Sequence, residues 1–250
     1  MADHVHTTAK DLNSNEQQKG EKSAAEPVMQ QPGEVIAPEV MDGMVEKIAE
    51  EVYGFTVTKC KQLNGYDDKN YHIRVSPSTS NPHVPRGAAE GYVMKVINTM
   101  DTNRPEILFA QIEMMKHLRS RGISTQDTVP AKDSQLVAFY DFPIPGAAGE
   151  TKRHAVTLRT FIPGQILYDV TLTPNLCYKL GQFLGSLTKA LEDFHYPFYD
   201  TFDCLWSMTN LPKVNDFVDV ITDQKDRATV DDVIKEFTTT LLARRQDIRA

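Results

Sequence analysis

Positive charge is in short supply along this chain, with 27 Lys and Arg against 34 Asp and Glu, and the resulting net charge of −7 does not favour nucleic acid or an anionic membrane as a partner. Cysteine is also scarce. Cys60, Cys177 and Cys204 are odd in number and widely spaced, which excludes a CxxC pairing or a disulfide framework and points to a reducing compartment, with all three expected to act as packing residues. No apolar run approaches the ~18 residues of a membrane-spanning helix, and the N-terminus lacks a basic region followed by an apolar core, so a cytoplasmic protein with no membrane partner is expected. G-x-G-x-x-G and Walker glycine patterns are missing too, which excludes the commonest phosphate loops. What remains is ordinary for a globular domain: 40% hydrophobic and 24% charged residues over 250 positions, enough to bury a core.

Residues 1 to about 40 are rich in Gln, Glu, Lys, Ser and Pro and nearly free of aromatics, so they are expected to form a disordered tail, in which His4 and His6 are incidental. From Met41 the pattern changes. Met44, Val45, Ile48, Ala49 and Val52 recur at helical spacing, with Gly54 as the stop. Phe55 to Leu63 alternates and is rich in β-branched residues, Asn64-Gly65 is a turn signal, and Tyr71 to Val75 alternates again, which predicts a hairpin. A long polar loop is expected from Ser76 to Gly91, then a third strand from Tyr92 to Ile97. Pro105 opens a helix with Ile107, Leu108, Ile112, Met115 and Leu118 on one face and Gly122 as its stop. Val129 to Phe142 and His154 to Phe161 read as two more strands, giving five antiparallel strands with one inserted helix. Beyond Pro163-Gly164 the signal is helical, with Leu176, Leu180, Phe183, Leu184, Leu187 and Leu191 at spacings of three and four. A last helix is predicted from Val230 to Arg245, with Asp231 and Asp232 near its positive end and Arg244 and Arg245 near its negative end. The fold class expected is α+β, with a sheet-based lobe over 41–162 and helices over 163–250.

Phosphoryl transfer consists mostly of holding a polyphosphate and neutralising its charge. The parts it requires are a strand lysine reaching the phosphates, an acid on the next helix fixing that lysine, and a hairpin covering the nucleotide. Lys95, in the strand Tyr92-Val-Met-Lys-Val96, stands where such a lysine belongs, and Gly65 to Asn70 is a polar turn at the tip of the preceding hairpin. Asp67, Asp68 and Asn70 are also ordinary strand-terminating residues, so the turn alone does not decide its own role.

The run Tyr66-Asp67-Asp68-Lys69-Asn70-Tyr71-His72 resembles the Tyr-Asp-Asp-x-Asn-Phe/Tyr-His run of hydroxylysine kinases, within the aminoglycoside phosphotransferase and choline kinase superfamily. The resemblance continues through Tyr92 to Asn98, Leu118 to Gly122, Leu158 to Gly164 and Leu180 to His195, and covers roughly residues 41 to 250. It implies a protein-kinase-like fold and transfer of phosphate from GTP or ATP, with Mg2+, to the hydroxyl of 5-hydroxy-L-lysine. It further implies that Lys95 pairs with the phosphates, that Gly65, Tyr66, Asp67, Asp68 and Asn70 cover the nucleotide, and that Arg159 to Gly164, including Phe161, forms the hinge beside the base. Where the superfamily places a helix Glu, this chain has Gln111, while Glu113 lies two residues on, about 200° around the helix. The choice between them is left open by the sequence.

The family's His-Gly-Asp-x-x-x-x-Asn catalytic loop and Asp-Phe-Gly-Asp metal site have no counterpart in these 250 residues. Asp141-Phe142-Pro143 imitates the latter but precedes the hinge, and His195 reads as a helix-end packing residue rather than a base. The chain therefore reads as the front of a small-molecule kinase, truncated before its chemical end and inactive alone. Two other readings stay open: a non-catalytic module binding nucleotide or a partner, and a kinase of another amino alcohol such as choline, homoserine or an aminoglycoside.

Overall fold

Strand β1 (Phe55–Leu63) forms where alternation and β-branching are strongest, and it pairs antiparallel with β2 (Lys69–Thr79) across the Gly65 to Asp68 turn. A computed structural model describes residues 30, 34–144, 146–147, 149–203 and 206–247. The described residues divide into one unit ending at Asp200 and a second beginning at Thr201. The first is built on an antiparallel sheet in the order β1, β2, β3 (Tyr92–Val96), β6 (Thr151–Thr160), with β4 (Thr128–Val129) and β5 (Ala138–Pro143) both on the outer edge of β6. The fold class is α+β.

Six strands replace the expected five because the segment from Val129 to Phe142 does not run as one. Pro130 offers no N–H to a ladder, Ala131 closes a turn by donating to the Gln135 carbonyl at 2.8 Å, and Ser134 adopts a positive φ of 74°. β4 and β5 thus take successive stretches of one edge, opposite Arg159–Leu158 and opposite Val156–Thr151. Strand β2 also runs on through Thr79 where a loop from Ser76 was expected. Its pairing with β3 stops at Ile73, so Pro77 sits where no β3 partner needs its missing N–H. Asn81 then anchors the strand end by donating to the carbonyls of Tyr53 and Pro130 at 3.0 and 2.9 Å.

Alternation gives the sheet two different faces. Ile73, Tyr92, Met94, Val96, Val156 and Leu158 turn into one buried cluster with Tyr53, Phe55, Phe142 and the inner side of helix α1 (Met44–Glu51). Each fully buried large side chain contributes up to about 2 to 3 kcal/mol relative to exposure, so this cluster is the main stabilising element. Ile36, inside the segment read as a disordered tail, is buried as well, and its carbonyl accepts from the Thr99 backbone at 3.0 Å. The rest of that tail, residues 1–29 and 31–33, lies outside the described residues, as does Cys204. Cys60 is half-buried, whereas Cys177 is exposed rather than packed.

The expected helix after β3 is α3 (Glu106–Ser120), preceded by a short α2 (Thr99–Thr102) that propensity did not reveal. Helix α4 (Pro174–Leu191) starts at Thr173, whose hydroxyl accepts from the Leu176 N–H at 3.2 Å. It joins α3 through His117, whose Nε2 lies 2.8 Å from the Ala190 carbonyl, and through an ion pair of Arg121 with Asp193. Helix α5 (Pro197–Thr201) follows, its last residue belonging to the second unit. In the second unit a 3-10 helix (Met208–Val220) precedes α6 (Gln224–Glu236), a π turn (Phe237–Leu241) and a 3-10 turn (Leu242–Asp247). The last helix therefore starts six residues before the expected Val230. Asp223 caps it by accepting from Lys225 and Asp226, leaving Asp231 and Asp232 in its middle. An apolar cavity of about 640 Å³ lies within this unit, lined by Trp206, Met208, Leu211, Phe217, Phe237 and Leu241.

Two outcomes follow from the packing of the sheet unit. Gly91 has φ +80° and a Cβ there would lie 2.1 Å from the Ile73 carbonyl, so Gly91→Ala is expected to lose about 3 kcal/mol or more in urea unfolding. Gly122→Ala, at the same φ but in open space, should lose only about 1 to 2 kcal/mol. His154 is buried with Nδ1 donating to the Ile97 carbonyl at 2.7 Å, and burial holds its pKa below the ordinary 6.5. The unfolded chain thus takes up a proton that the folded chain refuses, and stability present above pH 6.5 falls as pH drops below it. Urea midpoints between pH 7 and 5 should show a slope in the native protein that His154→Gln reduces.

Candidate functional site

Lys95 interrupts an apolar strand: Tyr92, Val93, Met94 and Val96 around it are buried, and its own side chain is mostly buried on the face opposite the core cluster. Register places Asn70 on β2 and Thr157 on β6 directly abreast of it. Three polar side chains therefore stand in a row across the middle of the sheet. Two of them carry buried atoms with no hydrogen-bond partner, Asn70 Oδ1 and Thr157 Oγ1. Thr157 has no exposed surface at all.

The ammonium of Lys95 pairs with Asp68, Nζ to Oδ2 at 3.1 Å, both side chains retaining about a fifth of their accessible surface. Asp68 is itself fixed. Its other oxygen, Oδ1, accepts from the Asn98 backbone N–H at 2.9 Å and from Asn98 Nδ2 at 3.0 Å. Asn98 in turn caps α2, its Oδ1 accepting from the Asp101 N–H and its Nδ2 donating to Asp101 Oδ2, each at 3.0 Å. Asp67 borders this group, and its carboxyl is pushed up first by burial and then by the charges of Asp68 and Asp101. Gly65 is required where it stands, since a Cβ would lie 2.2 Å from the Asp68 carbonyl oxygen and 2.7 Å from the Asn70 amide. Tyr66 beside it is exposed.

Arg159, two residues along β6 from Thr157, shares the Lys95 face and is 8% exposed. Its Nη2 donates to Gln111 Oε1 on α3 at 3.3 Å, and its Nε is buried without a partner. Burial lowers its pKa, and the charge of Asp68 raises it. Neither helix residue considered for Lys95 holds it: Gln111 is taken up by Arg159, and Glu113 pairs with Lys116 at 2.7 Å near the helix surface. At the end of β6 the Phe161 ring stacks on His72, centroids 3.7 Å apart and 11° from parallel, and its N–H donates to the Gly91 carbonyl.

The structure thus gathers Asp68, Asn70, Lys95, Arg159 and Gln111, with Asp67 and Gly65 in the adjoining turn. It leaves Glu113 outside. Asp141 lies four positions along β6 from Thr157, opposite Arg153, and Phe142 is in the core. His195 is exposed, with Nδ1 3.7 Å from Asp200. Thr157, Asn98 and His72 were not foreseen as site residues. Strand alternation counted back from Arg159 identifies Thr157, and Asn98 followed three positions later by Asp101 is a helix-capping signature. The face thus brings two cations, Lys95 and Arg159, beside the carboxylates of Asp68 and Asp67, and the partly exposed Lys95 ammonium keeps N–H donors suited to an anion such as a phosphate.

No family model matches the chain. Among curated proteins it is similar to the hydroxylysine kinases of Mus musculus, 26% identical over 203 residues, Xenopus laevis, 29% over 210, and Bos taurus, 24% over 211. These comparisons cover 80%, 82% and 83% of this chain but 52%, 54% and 54% of the relatives, so the chain spans about half their length. Among solved structures it is similar to amicoumacin kinase in complex with AMP-PNP, Ca2+ and Ami, with a TM-score of 0.53 at 18% identity over 84% of this chain and 55% of that one. The fold is therefore kinase-like.

Asn98 serves both the α2 cap and Asp68, so Asn98→Ala is expected to cost about 1 to 3 kcal/mol in urea unfolding. Asn98→Ser, which keeps a capping oxygen, should recover roughly half of that loss.

Proposed function

We propose that this chain is the nucleotide-holding part of a hydroxylysine kinase, an enzyme moving phosphate from GTP or ATP to the hydroxyl of 5-hydroxy-L-lysine in the cytoplasm. The observation that carries the reading is Lys95, mostly buried in mid-sheet between Asn70 and Thr157 and paired with Asp68 of the Gly65 to Asn70 turn, with Arg159 beside it. In this reading residues 41–162 hold the nucleotide. Lys95 and Arg159 offset phosphate charge, the Gly65 to Asn70 turn covers it, and the segment from Phe161 to Gly164 borders the base. When bound, the nucleotide supplies the phosphoryl group and Mg2+ the charge to neutralise it.

This chain's own contribution is binding, orientation and exclusion of water rather than proton transfer. Among the described residues no group of three or more His, Cys, Asp or Glu is placed to hold a metal ion. In this reading the metal ligands and the acceptor-activating Asp belong to the half of the relatives that the chain does not span, and the chain alone binds nucleotide without transferring phosphate. A non-catalytic docking role is favoured by the exposure of Tyr178, Phe183 and Leu184 on α4.

Titration of AMP-PNP and GTP into the folded 250-residue chain should show saturable binding, weakened at least tenfold by Lys95→Ala, about 1.4 kcal/mol. Transfer from labelled GTP and ATP should be measured with 5-hydroxylysine, choline, homoserine and an aminoglycoside, using this chain and the full product of its coding sequence. Transfer to 5-hydroxylysine by the full product supports the assignment. Transfer to another of the four would reassign the acceptor, and a folded chain that binds neither nucleotide would remove the reading altogether.

A further inference from the structure

We infer that Asp68, carried on the turn between β1 and β2, is the positioning residue for Lys95, in place of any residue of helix α3. The inference rests on the nucleotide reading above and deepens it. A strand lysine that meets phosphates has to be held, because a free ammonium on four rotatable bonds loses its rotamer freedom on binding. Gln111, the α3 residue facing this region, spends its carbonyl oxygen on Arg159, and Glu113 spends a carboxylate oxygen on Lys116. Asp68 is the ion-pair partner that the structure gives Lys95, at 3.1 Å.

Asp68 is itself immobile enough to do this. Two hydrogen bonds from Asn98 hold the oxygen that Lys95 does not use, and Asn98 is locked as the cap of α2. The carboxylate thus accepts from one of the three ammonium N–H groups and leaves the other two free to meet a phosphate. The arrangement also differs in kind from a helix acid. Asp68 lies three residues from Gly65 in the very turn proposed to cover the phosphates, so the lysine is aligned only when that turn is in place. Closure of the turn and orientation of Lys95 become one event.

The test is a double-mutant cycle on Asp68→Asn and Lys95→Ala, with affinities for AMP-PNP and for adenosine measured by calorimetry on the folded chain. Asp68→Asn is expected to weaken AMP-PNP about tenfold and leave adenosine within twofold, because the effect passes through the phosphates. In the Lys95→Ala background the same change should alter AMP-PNP affinity by less than twofold, an interaction that a merely structural role would not produce. Asn98→Ser, which loosens Asp68 without removing its charge, should weaken AMP-PNP two- to fivefold with adenosine unaffected, and serves if Asp68→Asn does not fold. Unchanged or tighter AMP-PNP binding by Asp68→Asn, with Lys95→Ala still weak, overturns the positioning role while leaving the nucleotide reading intact. Equal losses for adenosine and AMP-PNP, or additive effects in the cycle, overturn it as well. Failure of the unmodified chain to bind AMP-PNP overturns both.

Discussion

Everything at the candidate site depends on a period of two. Strand β3 is buried on both sides and five residues long, and its alternation sends Tyr92, Met94 and Val96 into the core while Lys95 goes to the other face. A slip of one residue against β2 or β6 would drive an ammonium into the hydrocarbon cluster, at a cost of several kcal/mol. Register is therefore pinned by the penalty for misplacing one charge, and the same register lines up Asn70 and Thr157 beside it.

The ion pair between Lys95 and Asp68 is best understood as geometry rather than stability. Both side chains keep about a fifth of their surface in contact with solvent, so desolvation and Coulomb attraction largely offset each other. What the pair supplies is direction, while the buried Nε of Arg159 and Oγ1 of Thr157, without hydrogen-bond partners among the described residues, are costs of keeping polar groups there. A core of apolar residues could fill this space more stably; the sheet keeps a polar face there instead.

Much of this was legible in the chain, and unevenly so. β1 was read with its observed bounds because Phe55 to Leu63 combines alternation with a following Asn-Gly turn, and α3 because Pro105 and Gly122 bracket an apolar stripe. Lys95 and the Gly65 to Asn70 turn were found by spacing and by resemblance. The pairing of Lys95 was not, because the choice lay between Gln111 and Glu113 on the helix, and only three-dimensional distance shows that Asp68 of the turn is the partner. The break between β4 and β5 was missed because Val129 to Phe142 keeps its hydrophobicity across Pro130, and only the turn closed at Gln135 shows that the ladder stops. The start of the last helix was missed for the opposite reason: Gln224 to Thr229 is polar, and a capping Asp223 mattered more than apolar periodicity.

The interrupted edge on β6 has a consequence for the behaviour of the chain among its own copies. An uninterrupted outer strand would present a continuous row of free N–H and C=O groups, a template on which a second molecule could add its own strand. Here that edge is shared by a two-residue and a six-residue piece with a turn between them. The opposite edge, β1, is bent by two register irregularities and carries Lys59 and Lys61. Neither margin offers the long, flat, uncharged ribbon that edge-to-edge association needs, so the sheet that carries the site is also protected against aggregation.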